Sequence, residues 1–180
     1  IDMELQLKDL ETVEKKLAKV KRTAKTGNKE AQKEANVLDI IKVHLEAGAS
    51  VRSLELSEDD YTVYVEPLQC ITAKPVMYVC NVDEKAAVSG NSYVDQVKQA
   101  VASEDAEVLV LAVGTEADIN ELDGFEERKL FLEDIGLEEP GSAKLIRSAY
   151  KLLKLQTYFT AGVKEVRAWT IPIGSLAPQA

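Results

Sequence analysis

Lys74-Pro75-Val76-Met77-Tyr78-Val79-Cys80-Asn81-Val82-Asp83-Glu84 sets an apolar, β-prone run directly against a polar loop. Val76 to Cys80 reads as a buried strand, and Asn81 to Glu84 as the loop at its carboxyl end. Open α/β sheets bind ligands beyond the carboxyl ends of their strands, so an amide and two carboxylates there form a candidate binding loop. A second near-continuous apolar run, Glu107 to Val113, is typical of a parallel strand buried on both faces. It ends in the small-residue loop Ala112-Val113-Gly114-Thr115. Between the runs, Ser92 is placed to cap a helix over Tyr93 to Ala102, with Val94, Val97 and Val101 on one face. Strand, helix and strand joined by a short crossover make a βαβ unit, which brings both loops to one sheet edge.

Upstream, residues 4–25 read as a helix. Met3, Leu10 and Leu17 repeat every seven residues, as do Gln6, Val13 and Val20, giving an a/d seam with one polar member. Thr26-Gly27-Asn28 is a turn signal. A second helix follows over 29–47, with Ala31, Ala35, Leu38, Ile41 and Leu45 as its stripe and Gly48 as its stop. The pair makes an antiparallel hairpin with arms of roughly 30 Å. Its tip carries Lys15, Lys16, Lys19, Lys21, Arg22, Lys25, Lys29 and Lys33 against only Glu30 and Glu34. Such a run reads first as a solvated helix face; a contact with RNA phosphates is the alternative, kept open by a basic tip on an acidic chain. His44, beside the stripe, reads as packed or hydrogen-bonded and not catalytic. Tyr61 to Val65 alternates like a strand, with a helix as the open alternative.

Downstream, helices are expected over 116–122, 126–135 and 142–154. The carboxylates from Asp134 to Pro140 read as solvated turn charges, not a catalytic pair, and no catalytic residue is assigned. From Leu155 the texture turns to strands, 155–160 and 163–171, joined at Ala161-Gly162. Tyr158, Phe159 and Trp169 read as core packing in preference to a base-stacking platform.

Composition bounds the rest. At 180 residues, 46% hydrophobic, 29% charged and net charge -9, this is an ordinary folded chain, not a disordered one and not coated in basic surface. No apolar run approaches the ~20 residues of a membrane span, and no signal peptide opens the chain. Cys70 and Cys80 read as buried, reduced thiols of a cytoplasmic protein. With one histidine and no CxxC, no metal site is expected. Neither Ile1 nor Ala180 looks like a natural terminus, so the chain reads as a fragment.

Asparagine offers a donor and an acceptor from one planar group and can pair bidentately with adenine N6 and N7. A carboxylate only accepts. Guanine presents N1–H and N2–H2 to such a group, whereas adenine presents its N6 amine. GTP-binding domains carry Asn-Lys-x-Asp at this strand end, and the Asp clamps the guanine donors. Here the Lys position is Val82 and the Asp position Glu84, whose longer side chain cannot occupy the same clamp without moving the base. Asn81 and Glu84 therefore read as recognising a nucleotide base, with a helix entry or surface turn as the equal alternative for such an Asn/Asp/Glu loop.

Leu155-Gln-Thr-Tyr-Phe-Thr-Ala-Gly-Val-Lys-Glu-Val-Arg-Ala-Trp-Thr-Ile171 and Ala177-Pro-Gln-Ala180 resemble the start of the TGS domain of the YchF/Obg-like ATPase family. Asp9-Leu-Glu-Thr-Val-Glu-Lys-Lys16, the Asn81-x-x-Glu84 loop, Thr115-Glu-Ala-Asp-Ile119 and Gly136-Leu-Glu-Glu-Pro-Gly141 match in the family's order. The resemblance implies an α/β chain: part of the parallel sheet of a G-domain-like P-loop NTPase, an inserted antiparallel helical hairpin, and the opening of a β-grasp TGS domain. In those terms residues 1–48 are the hairpin (coiled coil) insertion, 49–154 the C-terminal half of the G domain, and 155–180 the TGS start. It implies ATP preference within the GTP-binding protein class, ATP hydrolysis, and a ribosome or rRNA partner, with no membrane and no DNA specificity. Asn81, Val82 and Glu84 fall on the base-specificity loop, and Ala112, Val113 and Gly114 on the loop contacting the base from the other side. Lys21, Arg22, Lys25 and Lys29 are the candidate nucleic-acid contacts at the hairpin tip. No Gly-x-x-x-x-Gly-Lys-Ser/Thr occurs in the sequence, so the phosphate cradle and the Mg2+ ligands are expected outside these residues.

Three functions compete on this reading: the base-binding half of an ATPase, a ribosome- or RNA-binding module without catalysis, and a coiled-coil scaffold. The βαβ unit argues against the last.

Overall fold

A computed structural model describes residues 1–104 and 106–179. Ala180, the last residue of the matched C-terminal run, lies outside them. The chain forms two compact units, Ile1–Pro75 and Val76–Ala180.

In the first unit, α1 (Asp2–Ala24) and α2 (Lys29–Glu46) pack as an antiparallel hairpin. Gly27, at φ +84°, makes the turn, and Asn28 caps α2 by accepting from Ala31 N at 3.1 Å. Val13, Leu17 and Val20 bury against Ala31, Ala35, Leu38, Ile41 and Leu45. Met3 departs from the expected seam and is exposed. The cause is length: Gln6, the seam's polar member, donates to Gly48 O at 2.9 Å just past the end of α2, so Met3 lies a turn beyond its partner helix.

Tyr61 to Val65 is not a strand. Ser57 caps a helical turn, Glu58–Asp60, which continues as a π-helical turn through Tyr61–Val65. Its apolar residues are spaced i, i+3, i+4, and the segment buries Tyr64 and Val65 in the hairpin's core. Asp9 sits at 2% exposure on the apolar face of α1. It accepts from Ile71 N at 2.8 Å, from Thr72 N at 2.7 Å and from Thr72 Oγ1 at 2.7 Å. Thr72 Oγ1 in turn accepts from Val51 N at 3.1 Å. One carboxylate thus fastens the 70–73 segment to α1. Cys70 beside it is buried, and burial, helped by the Asp9 charge, pushes its thiol up to about 12, so it stays protonated. Cys80 is half-buried, and both thiols are free. His44 is hydrogen-bonded through Nε2 to Ser50 O and Ser53 Oγ, each at 3.0 Å.

In the second unit, β1 (Met77–Asn81) and β2 (Glu107–Leu111) pair in parallel, with Met77 opposite Glu107 and Asn81 opposite Leu111. β1 is half-exposed where a buried strand was expected, Val79 at 44%, because among the described residues β2 is its only neighbour. The crossover helix α3 (Ser92–Ala100) is capped by Asn91, not Ser92: Asn91 Oδ1 accepts from Tyr93 N and Val94 N. The expected loop after β2 is shorter than its residues implied. Helix α4 (Val113–Glu121) starts two residues past the strand, so Val113, Gly114 and Thr115 form its first turn. Helices α5 (Phe125–Asp134) and α6 (Gly141–Leu152) follow. Strands β3 (Leu155–Ala161) and β4 (Val166–Pro172) make an antiparallel hairpin with Tyr158 opposite Trp169. Phe159 is 70% and Trp169 40% exposed, so core packing fails for them, although α6 meets β3 and Tyr150 of α6 hydrogen-bonds Thr170 of β4 at 3.0 Å. Trp169 instead donates from Nε1 to Thr160 Oγ1 at 2.8 Å.

Candidate functional site

The parallel pairing puts the carboxyl ends of β1 and β2 at one edge, and hydrogen bonds tie the two loops there. Val82 N donates to Leu111 O at 2.8 Å, carrying the ladder one step past β1. Asn81 Oδ1 accepts from Val113 N at 3.1 Å. Because the partner is an amide donor, the oxygen faces Val113 and Nδ2 is left to point elsewhere. Oδ1 thus spends one lone pair on Val113 N–H, and Nδ2 is the donor left facing away from it.

The loop's two carboxylates divide. Asp83 is used structurally: Oδ1 accepts from Ala86 N at 3.0 Å and caps the short 3-10 turn Glu84–Ala86. Glu84 opens that turn with an exposed side chain. Asn81, Val113 and Gly114 are also exposed, Val82 is half-buried and Ala112 is buried. The edge therefore presents an amide donor and a carboxylate acceptor beside the first turn of α4.

Beyond this edge, Glu139 is no solvated turn charge. It is half-buried and ion-paired with Arg147, whose guanidinium lowers its pKa from the ordinary carboxylate value. Among the described residues no group of three or more His, Cys, Asp or Glu is placed to hold a metal ion.

The hairpin tip sorts its cations. Lys21 pairs with Asp39 at 2.9 Å, Lys16 with Glu34 at 2.9 Å and Lys33 with Asp60 at 2.7 Å. Arg22, Lys25 and Lys29 are exposed and make no ion pair among the described residues. Lys29 also stands in the first turn of α2, where the helix dipole disfavours a cation.

No family model matches the chain. Over all 180 residues it is 48% identical to a protein of Escherichia coli O157:H7 named Ribosome-binding ATPase YchF. It is 44% identical, over 99% of its length, to the Bacillus subtilis (strain 168) protein of the same name. The solved Schizosaccharomyces pombe YchF GTPase matches 99% of it with a TM-score of 0.88 at 28% identity. The chain matches YchF proteins along essentially its whole length. Its α/β fold, with a parallel strand pair and an antiparallel hairpin, matches that of the fission-yeast protein over this region. It spans about half the length of the YchF relatives, 49% in each of these cases. The bacterial YchF proteins are named as ATPases and the fission-yeast one as a GTPase, so the names differ on the base.

Sequence reasoning missed Asp9, and the signal was present. Asp9 falls at i, i+4, i+8, i+11 with Val13, Leu17 and Val20, on the buried face. The helix-entry reading of the loop holds for Asp83, which stands directly before Glu84-Lys85-Ala86.

Proposed function

We propose that this chain is the base-recognising half of a P-loop ATPase that associates with ribosomes. The observation that carries it is the hydrogen bond from Val113 N to Asn81 Oδ1, which joins the two strand-end loops and directs an amide donor outward. Asn81 Nδ2 donates to purine N7, common to adenine and guanine. Glu84 chooses between them, accepting from the adenine N6 amine and repelling the guanine 6-oxo group. Ala112, Val113 and Gly114 contact the base from the other side, and Val82 stands where a covering lysine would be in a GTP-binding loop. The triphosphate and its Mg2+ are held by residues outside these 180, which supply the hydrolysis. Competition between ATP and GTP for the full-length protein tests this: ATP is expected to bind at least about tenfold tighter, a difference of ~1.4 kcal/mol. Equal or tighter binding of GTP would reject it.

A second contact, with the ribosome or its RNA, is favoured by Arg22, Lys25 and Lys29, which make no ion pair among the described residues, on a chain of net charge -9. The TGS start, residues 155–180, is the other surface in this reading. Replacing those three cations by Glu is expected to weaken ribosome association and to flatten its dependence on salt by roughly 0.7–0.9 log units per lost phosphate contact. Lys21→Glu is a poorer probe, because it sets a carboxylate against Asp39 within the hairpin. Association with an unchanged salt slope in the triple variant would remove the tip from the interface.

A further inference from the structure

Glu116 lies in the first turn of α4, two residues past Gly114, and its carboxylate caps a helix that begins far down the chain. Oε1 accepts from Gly141 N at 2.5 Å and Oε2 from Ser142 N at 3.0 Å. Those amides open α6, whose own N-cap, Pro140, makes no side-chain cap bond. A carboxylate there meets both unpaired N–H groups and the positive end of the helix dipole. The approach needs a glycine: a Cβ on Gly141 would lie 3.0 Å from Glu116 Oε1 and collide with Leu111 Cδ2. Leu111 is the β2 residue in register with Asn81. Glu116 N also donates to Ala112 O at 3.0 Å. Glu116 is thus fixed at one end by α6 and at the other holds the turn whose Val113 N–H orients Asn81.

We propose that Glu116 is a positioning residue for base recognition: it holds Val113 N–H where Asn81 Oδ1 meets it, and so fixes the direction of Asn81 Nδ2. The proposal rests on the reading of Asn81 as a base contact. Glu116→Gln keeps the volume but turns an NH2 group toward one of the α6 amides, donor against donor. Glu116→Asp keeps the charge and is too short to hold both amides while staying in the α4 turn.

The test is a double-mutant cycle on the ATP dissociation constant of the full-length protein, with thermal midpoints measured in parallel. Glu116→Gln and Glu116→Asp are each expected to weaken ATP and GTP together, by roughly three- to thirtyfold. In an Asn81→Asp background, where the donor is already gone, the same changes are expected to cost less than about twofold. A helix cap with no further role would lower the midpoint and leave nucleotide affinity as in the wild type, or lower affinity equally in both backgrounds; either result overturns the proposal. Glu116→Asp, which adds no bulk, decides the matter if Glu116→Gln does not fold. If Asn81→Asp by itself leaves ATP binding unchanged, the base-contact reading fails, and this proposal with it.

Discussion

Asp9→Ala is expected to destabilise the Ile1–Pro75 unit by about 3–5 kcal/mol, the range for removing one partner of a buried, charge-assisted network. The carboxylate takes hydrogen bonds from two backbone amides and a hydroxyl, and alanine leaves all three donors buried and unpaired. Val13, Val51 and Cys70 of the same buried cluster carry no carboxylate to replace it. Asp9→Asn retains one oxygen and is expected to lose about half as much, roughly 2 kcal/mol, because its NH2 then faces a donor. Thr72→Val removes one donor of the set and also unpairs Val51 N, for roughly 1–2 kcal/mol. Urea unfolding followed by far-UV circular dichroism gives the ranking directly. A loss below about 1 kcal/mol for Asp9→Ala would mean water replaces the carboxylate and the site is not dry.

Asn81→Asp is expected to weaken ATP and GTP binding alike by about ten- to a hundredfold, or ~1.4–2.8 kcal/mol. Aspartate still accepts from Val113 N, so the two loops stay tied, but Nδ2 is gone and an oxygen faces N7, acceptor against acceptor. Asn81→Ala removes both the tie and the donor. It is expected to lose at least as much affinity and, unlike Asn81→Asp, some stability of the Val76–Ala180 unit. Isothermal titration with each nucleotide separates the roles. Equal affinity in wild type and Asn81→Asp would mean the amide does not touch the base.

The hairpin was legible because its signals agree: heptad spacing, a Gly-Asn turn, and a cap residue ahead of the second apolar stripe. The βαβ unit was legible from two apolar runs of strand length with a helical pattern between them. What failed did so for identifiable reasons. Tyr61 to Val65 carries β-branched and aromatic residues whose propensity favours a strand, yet among the described residues no strand pairs with it, and the same residues fit i, i+3, i+4 packing on α2. Phe159 and Trp169 look like core residues by type, but the contact of α6 with the hairpin leaves both side chains exposed. At the candidate site, residue types showed that the two loops share one sheet edge but not their division of labour. Only coordinates separate Asp83, spent on a cap, from Glu84, or show that the Asn81 oxygen is taken by Val113. The reach of Glu116 to α6 leaves no mark in local sequence at all.

In the proposed reading the base preference rests on Glu84, and the ratio of ATP to GTP affinity in the full-length protein, wild type against Glu84→Asp, tests it most directly. The shorter carboxylate can take the clamp on guanine N1–H and N2–H2 that glutamate cannot, so the ratio is expected to fall by roughly tenfold or more toward GTP. The same ratio in both proteins would contradict the account, because it would mean that the side chain at position 84 does not read the base.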